Sequence, residues 1–473
     1  MLRRPRLLAG LPLPSSGVAT SMVVALAVRA VIAPRYYGWE EGDYGNLMMV
    51  REVLDSGFTW FRASHMPGWY SLAALVRLLV PDPRTSALLM TMAFSVLSVG
   101  VAASIARRVA GPGAALFVGL LLAVQPEMAL YGASTLRSPV FACFGLLGLL
   151  ALLASRKGGF GFTALAFLTR MEAFFVFYAP AVFGWVRERG MAWPRLVGPL
   201  LVLAGVVVGW QLYITVGLHE MAPFWAGPMG QNQTAGDSRW QWIQSGLRSS
   251  WSLLTWTLPR KLPWSLLVLA AVGAGTATVG GGKPGARTVL AYSVFGLGFW
   301  AGEGFLAQHD ANHNLYWIWL LPAVPMIVLL AAIGLGAVQR RLPRAARGVA
   351  AALVVVSAAP SFAHEIEYQM RRSESWYRPQ LELARWLEDH ARPGAGLILS
   401  SIPEVWIQRQ SNRFRVSSWW FLPQRLKHQG KEEFFAFLDG AGVDYVMWFA
   451  EEWTEAPAIA PFLQAGETVA VGG

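Results

Sequence analysis

Apolar residues in this chain come in long uninterrupted runs rather than in the one-sided or alternating patterns of a soluble fold. Runs of membrane length, on the order of 20 residues, fall near 16–34, 85–105, 112–127, 138–154, 196–217, 262–280, 287–306, 315–338 and 345–362. Two further stretches are irregular. Residues 66–80 are short and open with Pro67-Gly68, whereas 160–186 run long but are interrupted by Thr169-Arg170-Met171-Glu172, a pattern that predicts two short helices meeting at a polar tip. Together these give about eleven transmembrane helices. Past residue 364 the pattern changes: Trp386 to Arg392 ends an amphipathic helix, Leu397–Ser400 reads as a buried strand and Val443–Trp448 as another. The expectation is a polytopic α-helical membrane domain over 1–364, with outer loops at 35–65 and 218–261, and a small C-terminal soluble α/β domain over 365–473.

Composition agrees. Of 473 residues 55% are hydrophobic and only 14% charged, and the mean hydropathy is +0.41, outside the soluble globular range. The formal net charge of +11 is spread over short loops between apolar runs, as positive-inside orientation requires, so no nucleic-acid partner is expected. The one cysteine, Cys143, lies within an apolar run, which excludes an internal disulfide and gives no basis for redox or zinc-thiolate chemistry. Arg3, Arg4 and Arg6 precede the first run in the manner of a signal peptide, but no small-residue cleavage site follows; the reading is an uncleaved first span that starts inside.

Arginine placement orients the rest. Working back from the last span, Arg340, Arg341, Arg344 and Arg347 are inside, 308–314 outside, and Lys283 with Arg287 inside. The 218–261 loop is then outside, Arg187, Arg189 and Arg195 are inside, and a hairpin over 160–186 puts Arg156-Lys157 and Arg107-Arg108 inside as well. One step fails. Between the first outer loop and Arg107 only one crossing is allowed, yet 66–105 holds two apolar runs. Either 66–80 does not fully cross or one arginine pair breaks the rule. The outer face collects the first loop, the 218–261 loop, His309, His313 and the C-terminal domain.

Chemistry concentrates on that face. Just past the first span stands Trp39-Glu40-Glu41-Gly42-Asp43-Tyr44, three carboxylates where acids are costly unless they face a cavity, a partner or a substrate. An amphipathic stretch over 46–54 follows, then His65-Met66-Pro67-Gly68-Trp69-Tyr70 leading into the next run. These residues resemble the bacterial GT-C superfamily of glycosyltransferases, the branch of protein mannosyltransferase-like and lipid A aminoarabinose transferase-like enzymes. Those carry an acidic pair followed by tyrosine in the first outer loop, a short helix lying on the membrane, and a His/Pro-containing lead-in to the second span. Glu40-Glu41 with Tyr44 matches the pair, with Glu in place of the usual leading Asp, and the likeness extends to Pro126 with the polar turn to Arg137 and to the tip at 169–172.

The resemblance implies a GT-C-like fold, a polyprenyl-phosphate-linked sugar as donor, and a lipid, glycan or protein as acceptor. It also implies that an acid of the first loop is the catalytic base: Glu40 or Glu41, with Asp43 as the runner-up, whose bland reading is an N-terminal cap for a helix over 44–54. The residue chemistry fits, because moving a sugar from a phosphate to a hydroxyl needs a carboxylate to take the proton and cations to stabilise the departing phosphate. Candidate phosphate ligands are Arg137, Arg260, Lys261, His309 and His313; candidate substrate contacts are Tyr44, His65, Arg170 and Glu172. Asn312-His313-Asn314-Leu315-Tyr316 with Pro322 resembles the family's His/Arg-Tyr motif, without its arginine. No cofactor is required by the pattern, although the acids with His65 can hold a divalent cation. Trp225, Trp240, Trp242, Trp251 and Trp256 read as an interfacial belt, or else as a surface for sugar or isoprenoid. The competing functions are a transporter or flippase for lipid-linked sugars, whose relay acids belong inside the spans, and a polysaccharide polymerase or ligase.

Overall fold

The computed structural model describes residues 15–36, 41–59, 61, 66–154, 158–189, 193–217, 239–279, 285–307, 320–390, 397–400, 415–418, 436, 439–440 and 442–447. Sixteen α-helices are described: α1 (Ser16–Ile32), α2 (Glu41–Asp55), α3 (Pro67–Arg77), α4 (Pro83–Val109), α5 (Pro112–Val124), α6 (Pro126–Tyr131), α7 (Ser138–Leu153), α8 (Gly159–Thr169), α9 (Ala179–Arg189), α10 (Trp193–Leu212), α11 (Arg239–Ser252), α12 (Leu258–Lys261), α13 (Trp264–Thr278), α14 (Ala286–Ala307), α15 (Ala323–Arg340) and α16 (Arg344–His390). Proline sets many of the starts. Pro67, Pro83, Pro112, Pro126 and Pro139 each sit at the first or second helical position, where a missing N–H costs nothing. Asp82 adds a cap to α4 by accepting from Thr85 N at 2.5 Å.

The spans 85–105, 138–154, 262–280 and 287–306 appear within a few residues of the positions expected from hydropathy. Among the described residues four helices, Pro83–Val109, Val197–Val216, Ala323–Arg340 and Ala346–Ser375, are long and apolar enough to cross a membrane, and six further apolar helices are shorter. The run at 112–127 breaks after Val124: Gln125 is extended, and Pro126 starts α6, whose six residues are all buried. At the tip expected near 169–172 the chain turns at Arg170–Glu172 and returns through a π-helical turn, Phe174–Tyr178, into α9. Phe160 at the start of α8 packs edge-on against Trp185 well along α9, with ring centroids 5.7 Å apart, so the two arms are an antiparallel hairpin.

The contacts at the two ends of α3 bear on the misfit at 66–80. With 11 residues, α3 is about 16 Å long at 1.5 Å per residue, far short of a hydrocarbon core of about 30 Å. Its N-terminus touches the polar tip, because a Cβ on Gly68 would lie 2.8 Å from Leu168 O. The helix after it, α4, starts beside the end of α1, where Arg84 donates to Tyr36 O at 3.5 Å. The two ends of α3 therefore lie beside segments that the arginine alternation assigns to one side, and α4 runs from there to Arg107-Arg108.

Packing runs inward to α15, which is buried from Ala323 to Leu335, whereas α10 and α16 expose leucine and valine such as Leu201 (66%) and Val356 (65%), as lipid-facing helices do. Between α13 and α15 the backbones meet: Cβ atoms on Gly273 and Gly334 would lie 2.0 Å from Leu330 O and Leu269 O respectively. Small residues at such a crossing let helices approach without a hydrophobic driving force. Gly273→Val is expected to part these helices and lower stability by about 1–3 kcal/mol or more, read as a lower unfolding temperature of the detergent-solubilised protein.

Residue 365 lies inside α16, which continues unbroken for 47 residues from the last apolar run to His390. Beyond it three short strands, β1 (Leu397–Ser400), β2 (Arg415–Ser418) and β3 (Tyr445–Met447), pair in parallel in the order β2-β1-β3. The first and third were expected; β2 was not, since Arg415-Val416-Ser417-Ser418 holds one strong strand former among polar residues.

Candidate active site

The acids of the first loop stand at the start of α2. Glu41, Asp43 and Tyr44 occupy its first turn, while Glu40 lies outside the described residues, as do His65, His309 and His313 and the side chains of the first three. The helix begins three residues before the expected 44–54, which places Asp43 within the first turn rather than at the cap. Carboxylates in a first turn are favoured by the positive end of the helix dipole. Asn46, Leu47 and Val50 are buried along one face of α2.

Asn46 ties α2 to the rest. Its Nδ2 donates to Thr135 O at 3.4 Å, and its Oδ1 accepts from the hydroxyl of Tyr70 at 2.9 Å. Tyr70 is fully buried on α3, and the Arg137 guanidinium lies over its ring, 5.6 Å from the centroid. Arg137 immediately precedes α7, next to Ser138, whose Oγ accepts from Arg170 Nη1 at 3.0 Å. Arg170 in turn grips Glu172, with Nη2 to Oε1 at 2.6 Å and Nε at 3.2 Å. Burial works against ionising Glu172, but the charge and hydrogen bond of Arg170, helped by the charge of Arg137, hold its carboxyl below the usual range. Three of the expected residues, Arg137, Arg170 and Glu172, are therefore brought into one network with the acid-bearing helix. With two guanidinium groups and one carboxylate, that network retains a positive surplus suited to an anion.

A second buried cluster lies at the other end of α6. Lys261, at the end of α12, ion-pairs with Glu127 at 3.3 Å and with Glu365 of α16 at 2.5 Å. Gln125 Nε2 donates to Glu127, and Gln369 Nε2 to Glu365 at 2.9 Å. Lys261 was expected at the donor phosphate; here its ammonium is engaged by two carboxylates, and only 3% of the side chain is exposed. Its neighbour Arg260 is exposed and lies over the Trp256 ring at 5.0 Å. Trp240, Trp251 and Trp256 are all more than 60% exposed, the placement of an interfacial belt.

Between the clusters α6 is pinned by Arg29 of α1. This fully buried guanidinium donates to Met128 O (2.7 Å), Ala123 O (3.2 Å), Ala25 O (3.0 Å) and Ser95 Oγ (2.7 Å). Gly132 is required there, since a Cβ would meet Ser95 Oγ at 2.2 Å and Arg29 Nε at 2.6 Å. On the far flank, Tyr213 at the end of α10 accepts from Phe61 N at 2.6 Å and donates to Thr59 O at 3.1 Å, holding the end of the first loop. All these stretches gather at one end of the bundle, the end to which the arginine alternation assigns each of them.

Sequence reasoning did not single out Asn46, Tyr70, Ser138, Glu127, Glu365 or Arg29. Two carried a signal, because Arg29 and Glu127 are lone charges in apolar runs, where an ionisable group needs a partner. Among the described residues no three side chains of His, Cys, Asp or Glu gather as a metal site. The divalent-cation set expected from the acids and His65 lies largely outside the described residues.

No family model and no curated protein matches the chain. Solved structures do, among them two of ArnT from Cupriavidus metallidurans. The crystal structure bound to undecaprenyl phosphate is 15% identical, with a TM-score of 0.63 and 96% of each chain covered. The apo structure gives the same identity and coverage with a TM-score of 0.64. The chain thus shares the multi-pass helical fold of that protein along nearly its whole length.

Proposed function

We propose that this protein is an inverting membrane glycosyltransferase that moves a sugar from a polyprenyl-phosphate donor to a lipid, glycan or protein acceptor on the periplasmic side of a bacterial cytoplasmic membrane. The observation that carries the proposal is the juxtaposition of the acid-bearing first turn of α2 with the Arg137–Arg170–Glu172 network, in a fold shared with a protein crystallised with undecaprenyl phosphate. The arrangement supplies the two groups the reaction needs. An acceptor hydroxyl attacks the anomeric carbon from the face opposite the phosphate and gives its proton to a carboxylate, Glu40 or Glu41, with Asp43 as the alternative. The bond from the anomeric carbon to the phosphate oxygen breaks, and its electron pair leaves with the polyprenyl phosphate.

Guanidinium groups at Arg137 and Arg170 stabilise the charge that develops on that phosphate. Arg260, His309 and His313 are further ligands on this reading, while Tyr44 and His65 contact the sugar. On this reading the chain from residue 365, which lies within α16, to 473 belongs to a soluble domain on the same face. The flippase reading is the weaker one: relay acids belong among the spans, and the acids of the first loop stand at the end of the bundle.

The test is transfer of label from a panel of radiolabelled polyprenyl-phosphate sugars in membranes containing the wild-type protein, followed by the anomeric configuration of the product. Transfer with inversion is the expected result. Absence of transfer from every donor, with label instead crossing the membrane on an intact lipid, would replace the enzyme by a flippase.

A further inference from the structure

We propose that Tyr70 and Asn46 are positioning residues that set the acid-bearing turn of α2 against Arg137, so that the base and the phosphate cation hold a fixed separation. The inference rests on the glycosyltransferase reading and assigns a role to two side chains that touch neither reacting group. α2 is a short helix outside the long spans, and the chain leaves it through the turn at Gly57-Phe58, where both φ angles are positive. Packing of Leu47, Val50 and Val53 fixes which face is buried, but apolar contacts are non-directional and tolerate sliding along the helix axis. Directional bonds remove that freedom.

On this helix Asn46 supplies them one turn beyond Asp43, and it uses both ends of its amide: one on the backbone of the α6–α7 turn at Thr135, the other on the Tyr70 hydroxyl. Both side chains are buried, Asn46 to 3% and Tyr70 to 0% exposure, so neither bond competes freely with water. Tyr70 then does a second task with its other chemical part. Its ring carries the Arg137 guanidinium, and its edge-to-face contact with Trp69, at 5.3 Å between centroids, limits how the ring can turn. One side chain therefore fixes the acid helix through its hydroxyl and the cation through its face. Pro67-Gly68 anchors that side chain, since the close approach of Gly68 to Leu168 locks the start of α3 to the tip that carries Arg170.

The separation matters because a displacement of about 1 Å in a reacting group costs on the order of 100-fold in rate. Tyr70→Phe removes the hydroxyl and keeps the ring, so Arg137 stays in place. It is expected to lower kcat by about 10- to 100-fold with donor KM nearly unchanged. Tyr70→Leu removes both parts and is expected to raise donor KM as well. In the background of the amide variant that abolishes the base, Tyr70→Phe is expected to have no further effect, because it acts only through that base; a merely structural role would add its own loss.

A readout without turnover accompanies these. Amide hydrogen exchange over residues 42–48 is expected to quicken in Tyr70→Phe by more than elsewhere in the chain, beyond the general rise that the lost buried hydrogen bond causes. Wild-type kcat and wild-type exchange in Tyr70→Phe would overturn the inference. An additive loss in the base-deficient background would overturn it equally. If the wild-type protein transfers sugar from no donor, the glycosyltransferase reading fails, and the exchange result alone then decides whether Tyr70 holds α2.

Discussion

Converting the catalytic acid of the first outer loop to its amide is expected to lower sugar transfer by about 100- to 10,000-fold while donor binding persists. The three variants are Glu40→Gln, Glu41→Gln and Asp43→Asn, and one is expected to stand apart from the other two. An amide cannot accept the acceptor's proton, yet it keeps the size and hydrogen-bonding reach of the acid. The fold therefore survives, and the loss falls on kcat rather than on donor KM. Full transfer in all three variants would remove the first loop from the mechanism and the base with it.

Lys261→Met is expected to destabilise the protein by about 3–5 kcal/mol, the largest stability effect anticipated for a single polar substitution here. The lysine is 3% exposed and faces Glu127, 2% exposed, and Glu365 on α16. Removing it leaves two carboxylates near one another with no cation, and each must be either buried as a charge or protonated. The triple variant Glu127→Gln, Lys261→Met, Glu365→Gln is expected to recover most of the loss, because a neutral cluster of similar shape carries no uncompensated charge. Unfolding temperatures in detergent provide the check. The same variants decide the role of Lys261. If it serves the donor phosphate, Lys261→Met loses donor affinity while keeping wild-type stability; if it is the structural link between α6, α12 and α16, stability falls first.

Much of the fold was legible because its cause is local. A run of about 20 apolar residues must be helical in a membrane whatever surrounds it, since every backbone group has to be satisfied within the segment. Proline placed helix starts by a rule that acts within a few residues. The polar tip at 169–172 was visible for the same reason, as charged residues interrupting a greasy stretch. Less was legible in the site. Arg137, Arg170 and Glu172 were named singly from residue type, but their grouping was not, and Asn46 and Tyr70 look like ordinary members of an amphipathic helix and an aromatic run.

What the sequence by itself determined is the multi-pass helical class of the protein and the position of most spans. Only the tertiary structure decided that the two ends of α3 lie beside the 169–172 tip and the start of α4, that Lys261 meets Glu365, 104 residues away, and that one tyrosine holds the acid helix through its hydroxyl and Arg137 over its ring. The reason is physical. Hydrophobic burial depends on the length and composition of a segment and can be read along the chain, whereas a hydrogen bond or an ion pair depends on distances of a few ångströms between helices, which packing alone sets.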